Sequence, residues 1–189
     1  MRKTLFIFDF DDTLVFSGAA VHITHEDGTV ESLESHEFAT YKEQPGDQFD
    51  YSEFDIYPPS GKLINKTFAR MQDAISAHGP ENVIVLSARG NPQPMQQFLS
   101  DHGLSANIEI VGVASSNPID KASFVETKLE AGNWDRVEIF EDSAPNIAAI
   151  GSMISSKFPD VEYVKNHIQA EGILRKLIYN LLREFMHLS

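Results

Sequence analysis

Three carboxylates, Asp9, Asp11 and Asp12, fall within four positions of one another in "TLFIFDFDDTL" (4–14). They follow an apolar run, "LFIF" (5–8), that reads as a buried strand. Clustered carboxylates repel one another and are costly to bury, so an opposing charge is needed where that strand ends. A metal cation supplies it. Asp9 and Asp11 stand two apart in a segment that is just leaving the strand. That spacing can turn a side chain and a nearby backbone carbonyl toward one ion. An oxygen shell of this kind suits Mg²⁺, a hard cation that keeps several waters. The ion neutralises a phosphate and the carboxylate that attacks it. One carboxylate can then act as nucleophile and form an aspartyl-phosphate, while a second protonates the leaving group and later activates water.

These acids need partners brought from elsewhere in the chain. Ser87 directly follows "VIVL" (83–86), and Glu141 and Asp142 follow "VEIF" (137–140). Lys121 opens the helical pattern before that last strand. Further apolar bursts occur at "IEIVGV" (108–113) and "VEYV" (161–164). Short runs rich in Val and Ile are typical of parallel strands buried on both faces. The second-place Glu in three of them is expected near a strand beginning, close to solvent. Helical patterns separate the bursts, over 62–78, 94–103, 120–132, 144–158 and 173–186. The first carries Ile64, Phe68, Met71 and Ile75 on one stripe and stops at "HGP" (78–80). The third is expected to use Asp120 as its N-cap, with Gly132 past its end. Strand–helix alternation predicts an α/β fold with a parallel sheet, and such sheets bind ligands beyond the carboxyl ends of their strands. Asp9, Ser87, Asp142 and Lys121 are therefore expected to converge on one sheet edge, with Asp142 completing the oxygen shell and Ser87 and Lys121 holding phosphoryl oxygens.

Residues 16–60 break the alternation. "VHITHEDGTVESL" predicts a hairpin turning at Asp27-Gly28. "YKEQPGDQFDYSEFDIYPPSG" (41–61) is acidic, aromatic and punctuated by Pro and Gly, and is expected to be a loop. The insert is too small for a second domain and predicts a flap over the strand ends. The chain of 189 residues thus reads as one domain, 1–189, with a flap or minimal cap at 16–60. Cysteine is absent, which removes disulfides, thiolate metal sites and cysteine nucleophiles. The net charge of −13 argues against a long nucleic acid as partner, since that needs a field of Lys and Arg. No apolar run approaches a membrane span, and the first run breaks at Asp9, too soon for a signal peptide, so a soluble cytoplasmic protein is expected.

At this point the chain resembles the haloacid dehalogenase (HAD) superfamily of phosphohydrolases. Its first motif, Asp-x-Asp-x-Thr after an apolar strand, matches "DFDDT" (9–13); its second, Ser or Thr ending a strand, matches "VIVLS" (83–87). A Lys at a helix start matches Lys121, and an acidic strand end matches "FEDSAPN" (140–146). All four stand in order across residues 5–146. The resemblance implies a three-layer α/β/α sandwich with a Rossmann-like parallel sheet in the order 5-4-1-2-3. It makes Asp9 the nucleophile and Asp11 the general acid/base. Mg²⁺ would be held by Asp9, the backbone carbonyl of Asp11 and Asp142, with Glu141 as the alternative ligand. Thr13, Ser87 and Lys121 would position the phosphate and the nucleophile, and Arg89, in "SAR", would touch a substrate phosphate or a second anionic group. An Asp at position 11 favours phosphatases and phosphomutases over ATPases and dehalogenases. The fourth motif often carries a second acid where this chain has Asn146, which can orient a metal-bound water but brings no charge.

Simpler readings stand beside these. An acid cluster at a strand end can be a solvated turn, and Asp12, free in the family pattern, reads as a surface acid. Ser87 alone could cap a helix, and Lys121 alone could be a surface lysine. The histidines show no metal spacing; His22 and His25 fall on the hairpin. Trp134 and the Phe-rich segment 38–54 could stack on a base or sugar, although aromatics more often pack cores and lids. The C-terminal stripe over 173–186 is expected to cover the sheet, with an oligomer interface as its other use. Three functions compete. The first is an Mg²⁺-dependent phosphatase acting on a nucleotide or another small phosphorylated substrate. The second is a polynucleotide 3′-end phosphatase of nucleic-acid repair, against which the acidity counts. The third is a catalytically idle HAD-fold binding protein, against which the intact set Asp9, Asp11, Ser87, Lys121 and Asp142 counts. A phosphomutase is weaker still, because a mutase needs a substantial cap.

Overall fold

In this computed structural model residues 2–38 and 41–168 are described. In chain order the strands and helices begin with β1 (Thr4–Phe8), β2 (Val15–Phe16), β3 (Ala20–Thr24), β4 (Val30–Glu34) and α1 (Ser35–Phe38). Next come β5 (Gln48–Asp50), β6 (Lys62–Leu63), α2 (Asn65–His78), β7 (Val83–Ser87) and α3 (Pro92–Asp101). The chain continues through β8 (Glu109–Gly112), α4 (Pro118–Ala131), β9 (Arg136–Glu141), α5 (Ala144–Lys157) and β10 (Glu162–His167). The helix expected over 173–186 lies outside the described residues.

The fold is α/β. Five strands form a central parallel sheet in the order β10-β9-β1-β7-β8, with β1 in the middle. Successive side chains of a strand point to opposite faces, and β1 divides its apolar residues accordingly. Phe6 and Phe8 join Phe68, Met71, Phe98 and Leu99 in the core beneath α2 and α3. Leu5 and Ile7 join Val125, Leu129, Ile150 and Ile154 beneath α4 and α5. The sheet is thus covered on both faces, which is why its central strands read as unbroken apolar runs.

Several local expectations change. Helix α4 begins at Pro118, and Asn117 rather than Asp120 caps it, its side chain accepting from the Ile119 N–H at 3.1 Å. Pro in the first helical turn after an Asn cap costs nothing there, since its missing N–H has no partner to lose. Helix α3 starts at Pro92, two residues early, for the same reason, with Asn91 as its cap. Residues 62–63 form a strand paired with Val15–Phe16, and α2 starts at Asn65. Glu109 and Glu162 do open their strands, but Glu138 lies in mid-strand and is buried. Arg136 and Asn166 on either side of it donate to its carboxylate at 2.8 and 3.2 Å.

The insert is more ordered than a loop. Strands β3 and β4 pair as the expected hairpin, and Gly28 takes φ 83° at its turn, a backbone that favours glycine. The segment 41–61, expected to be a loop, contributes β5, which pairs antiparallel with β3 to make a three-stranded sheet β4-β3-β5. Polar side chains tie it together. His22 bridges Ser32 and Glu53 at 2.7 and 2.8 Å. His25 pairs with Asp47 at 2.8 Å, and Tyr41 donates to the same carboxylate at 2.6 Å. The histidines of the hairpin are therefore struts of the flap.

Candidate active site

The carboxyl ends of β1, β7 and β9 lie side by side because these strands are neighbours in register. They carry Asp9, Ser87, and Glu141 with Asp142, as the sheet-edge rule anticipates. Lys121 enters from the first turns of α4. It is buried, and its ammonium donates to Asp9 Oδ1 at 2.7 Å and to Glu141 Oε2 at 2.9 Å. Burial alone would lower the lysine's pKa, but the charges of Asp9 and Glu141 outweigh it and hold Lys121 well above its ordinary range. One lysine cannot balance the acids around it. Burial, and then the Glu141 charge, push the Asp9 pKa far up. Burial and the Asp9 charge do the same to Asp142.

Asp9, Glu141 and Asp142 each offer a carboxylate oxygen, all within 4.8 Å of one another. The donors are all oxygen and all anionic, and they sit where a positive charge is short. The set fits a hard divalent cation, and this triad could bind a metal ion. Both candidates from β9 are present, but they are used differently. Glu141 is occupied by Lys121, by the Ser143 N–H at 3.2 Å and by the Asn146 side-chain amide at 3.2 Å. Asp142 receives a long contact from the Thr13 hydroxyl, at 3.5 Å, and its side chain also meets that of Glu141.

Thr13 thus meets a candidate metal ligand, where a phosphate contact was expected. It is fully buried and does not line the cavity. Asn146 does line it, and aims Glu141. Ser87 is buried at the cavity wall; its oxygen accepts from the Arg89 N–H at 3.2 Å, leaving its own hydrogen to donate.

The largest departure concerns Arg89 and Asp11. Arg89 is buried, and its guanidinium forks onto both oxygens of Asp11 at 2.8 Å each. Its remaining nitrogen donates to the backbone carbonyls of Phe54 at 2.8 Å and Ile56 at 3.4 Å, both on the flap. The Ser17 hydroxyl adds a third contact to Asp11, at 2.5 Å. A guanidinium fork matches a carboxylate's two oxygens, so this pair fixes the Asp11 side chain in one orientation. Arg89 was expected to hold a substrate anion; here it holds Asp11 and the flap. No residue pattern around position 89 signals this, because Arg89 and Asp11 are 78 positions apart.

Asp12 turns the chain back after Asp11. It has φ 55°, a left-handed conformation that Asp tolerates better than most residues, and its N–H donates to the Val15 carbonyl at 2.8 Å. Asp12 was expected to be a surface acid; it is half-buried and has this backbone role.

A cavity of about 560 Å³ opens over these groups. It is lined by Asp9, Asp11, Lys121 and Asp142 at the sheet edge and by Val21, Phe38, Tyr51 and Phe54 of the flap. The flap therefore sits over the strand ends. Trp134, the other aromatic of interest, is remote from it; its indole donates to the Lys128 carbonyl at 3.0 Å.

No protein-family model and no curated protein matches the chain. Among solved structures it is similar to the Legionella pneumophila effector Ceg4, with a TM-score of 0.52 and 12% sequence identity. That alignment covers 97% of this chain and 94% of the effector structure. At such low identity the likeness bears on the fold alone: an α/β domain built on a five-stranded parallel sheet with helices on both sides.

Proposed function

We propose that this protein is a HAD-type phosphomonoester hydrolase that works through an aspartyl-phosphate on Asp9. The observation that carries it is the pairing of the Asp9, Glu141 and Asp142 triad with Lys121 and Ser87 at one edge of a parallel sheet. The strand order supports it too: counted along the chain within this sheet, it runs 5-4-1-2-3, the order of that superfamily. Asp9, Asp142 and the Asp11 carbonyl would hold Mg²⁺, with Glu141 beside them. Bound there, Mg²⁺ supplies positive charge that lets an anionic carboxylate approach an anionic ester.

The protein's own residues do the rest. Lys121 holds one Asp9 oxygen, which orients the carboxylate for attack on phosphorus. A new bond forms between Asp9 and phosphorus as the bond from phosphorus to the ester oxygen breaks. Ser87 and Lys121 steady the phosphoryl oxygens as charge moves across them. Asp11 must first give up part of its contact with Arg89 and take a proton from solvent, which it then passes to the departing alkoxide. Asp11 then takes a proton from water, which attacks phosphorus, releases phosphate and restores Asp9.

The test is phosphate release from small phosphomonoesters with Mg²⁺ or EDTA. Turnover should need the cation and fall by about 1,000-fold or more in Asp9→Asn, since no nucleophile remains. Turnover that persists in EDTA, or in Asp9→Asn, would remove the proposal.

A further inference from the structure

The cavity has a second wall that the chemistry does not use. Phe38, Tyr51 and Phe54 line the cavity together with the acids. Aromatic rings on a lid normally bury themselves, but Tyr51 is 44% exposed. The rings are also held in place. Phe38 meets Tyr51 edge-on at 5.7 Å, and Phe49 stacks beside Tyr51 at 6.1 Å. Phe54 lies against the Arg89 guanidinium at 5.3 Å. A wall fixed by its own contacts gives up little freedom when a flat group stacks on it.

Charge narrows the ligand further. Among the described residues lining the cavity, the cations are Arg89 and Lys121. Arg89 is engaged by Asp11, and Lys121 by Asp9 and Glu141. Asp55, on the flap, adds a negative charge near Gly90. Among the described lining residues no cation is left unengaged to receive a second anionic group beyond the phosphate.

The geometry points to a substrate that carries a single phosphate on an uncharged, planar ring system, either an aryl-type or a nucleoside monophosphate. The ring stacks on the wall of Phe38, Tyr51 and Phe54 while the phosphate reaches Asp9. This inference rests on the hydrolase reading above for the position of the phosphate.

The test compares esters matched in their leaving oxygen. One pair is benzyl phosphate against cyclohexylmethyl phosphate. The other is adenosine 5′-monophosphate against ribose 5-phosphate. Wild-type kcat/KM, with Mg²⁺, is expected to favour the planar member at least tenfold in one pair, and that pair identifies the source of the ring. Adenosine 3′,5′-bisphosphate should be at least tenfold poorer than the monophosphate. Tyr51→Ala, a change at an exposed side chain, should shrink the winning ratio below threefold. Turnover with ratios near one in both pairs, or a ratio unchanged in Tyr51→Ala, overturns the ring site and leaves the hydrolase reading intact. Calorimetric binding of the same esters to Asp9→Asn separates the two. Ring-dependent binding without wild-type turnover keeps the ring site and rejects the hydrolase, and absence of both rejects both.

Discussion

At the scale of single residues, the centre is a problem in charge. Asp9, Glu141 and Asp142 crowd together with one ammonium between two of them. Removing that ammonium leaves buried acids without compensation. Lys121→Met should therefore lower stability by about 3 kcal/mol or more, as measured by denaturant unfolding in EDTA. Divalent cation should restore part of the loss. If the triad takes a cation, Asp142→Asn should weaken Mg²⁺ binding at least tenfold by calorimetry; unchanged affinity would place the ion elsewhere. Asp11 presents the opposite case, since its charge is matched by Arg89. Arg89→Met should cost activity through Asp11 and should not be rescued by Lys, because an ammonium cannot fork onto two oxygens while also reaching the flap carbonyls.

At the scale of elements, two features hold the site in shape. The first is the passage of β8 beneath the Arg89 turn. A Cβ on Gly112 would overlap the Arg89 carbonyl oxygen, so only glycine allows this approach. Gly112→Ala should displace the turn, lower the melting temperature by several degrees and cut activity together, because Arg89 moves with it. The second is the polar seam of the flap. The hydrogen bond that His25 gives to Asp47 raises the His25 pKa above its usual 6.5, and the hydrogen bond that Tyr41 gives to Asp47 lowers that of Asp47. The His25 contribution is present below pH 6.5 and is lost as pH rises through the raised value. The Asp47 contribution is present above its usual 3.8 and is lost as pH falls below it. The pair is complete between those limits. In an NMR titration the His25 ring should change above pH 6.5 in the wild type, and closer to 6.5 in Asp47→Asn. Coincident curves would break this assignment.

At the scale of the whole molecule, a net charge of −13 sets what approaches the cavity. The acids that line it add to that field, which favours the approach of small divalent cations over that of polyanions. Added Mg²⁺ should raise the melting temperature, and EDTA should reverse the gain, because a ligand that binds only the folded state stabilises it. Among the described residues no helix is long and apolar enough to cross a membrane.

The residues of the reactive edge were legible from the chain alone. Asp9, Ser87 and Asp142 each end or follow a short apolar run, and Lys121 opens a helix, so local pattern and the rule of strand ends were enough to gather them. The α/β alternation and the hairpin at Asp27-Gly28 were equally local. Tertiary structure decided what those residues do to one another. Arg89 and Asp11 are 78 positions apart and Lys121 and Asp9 are 112 apart, distances over which no periodicity carries information. Hence the Arg89 fork onto Asp11 and the Thr13 contact with Asp142 were not legible in the chain. The segment 41–61 read as a loop because its Pro, Gly and acidic residues mask a three-residue strand that exists only by pairing with β3. Only the folded insert brings Phe38, Tyr51 and Phe54 to line one cavity with Asp9.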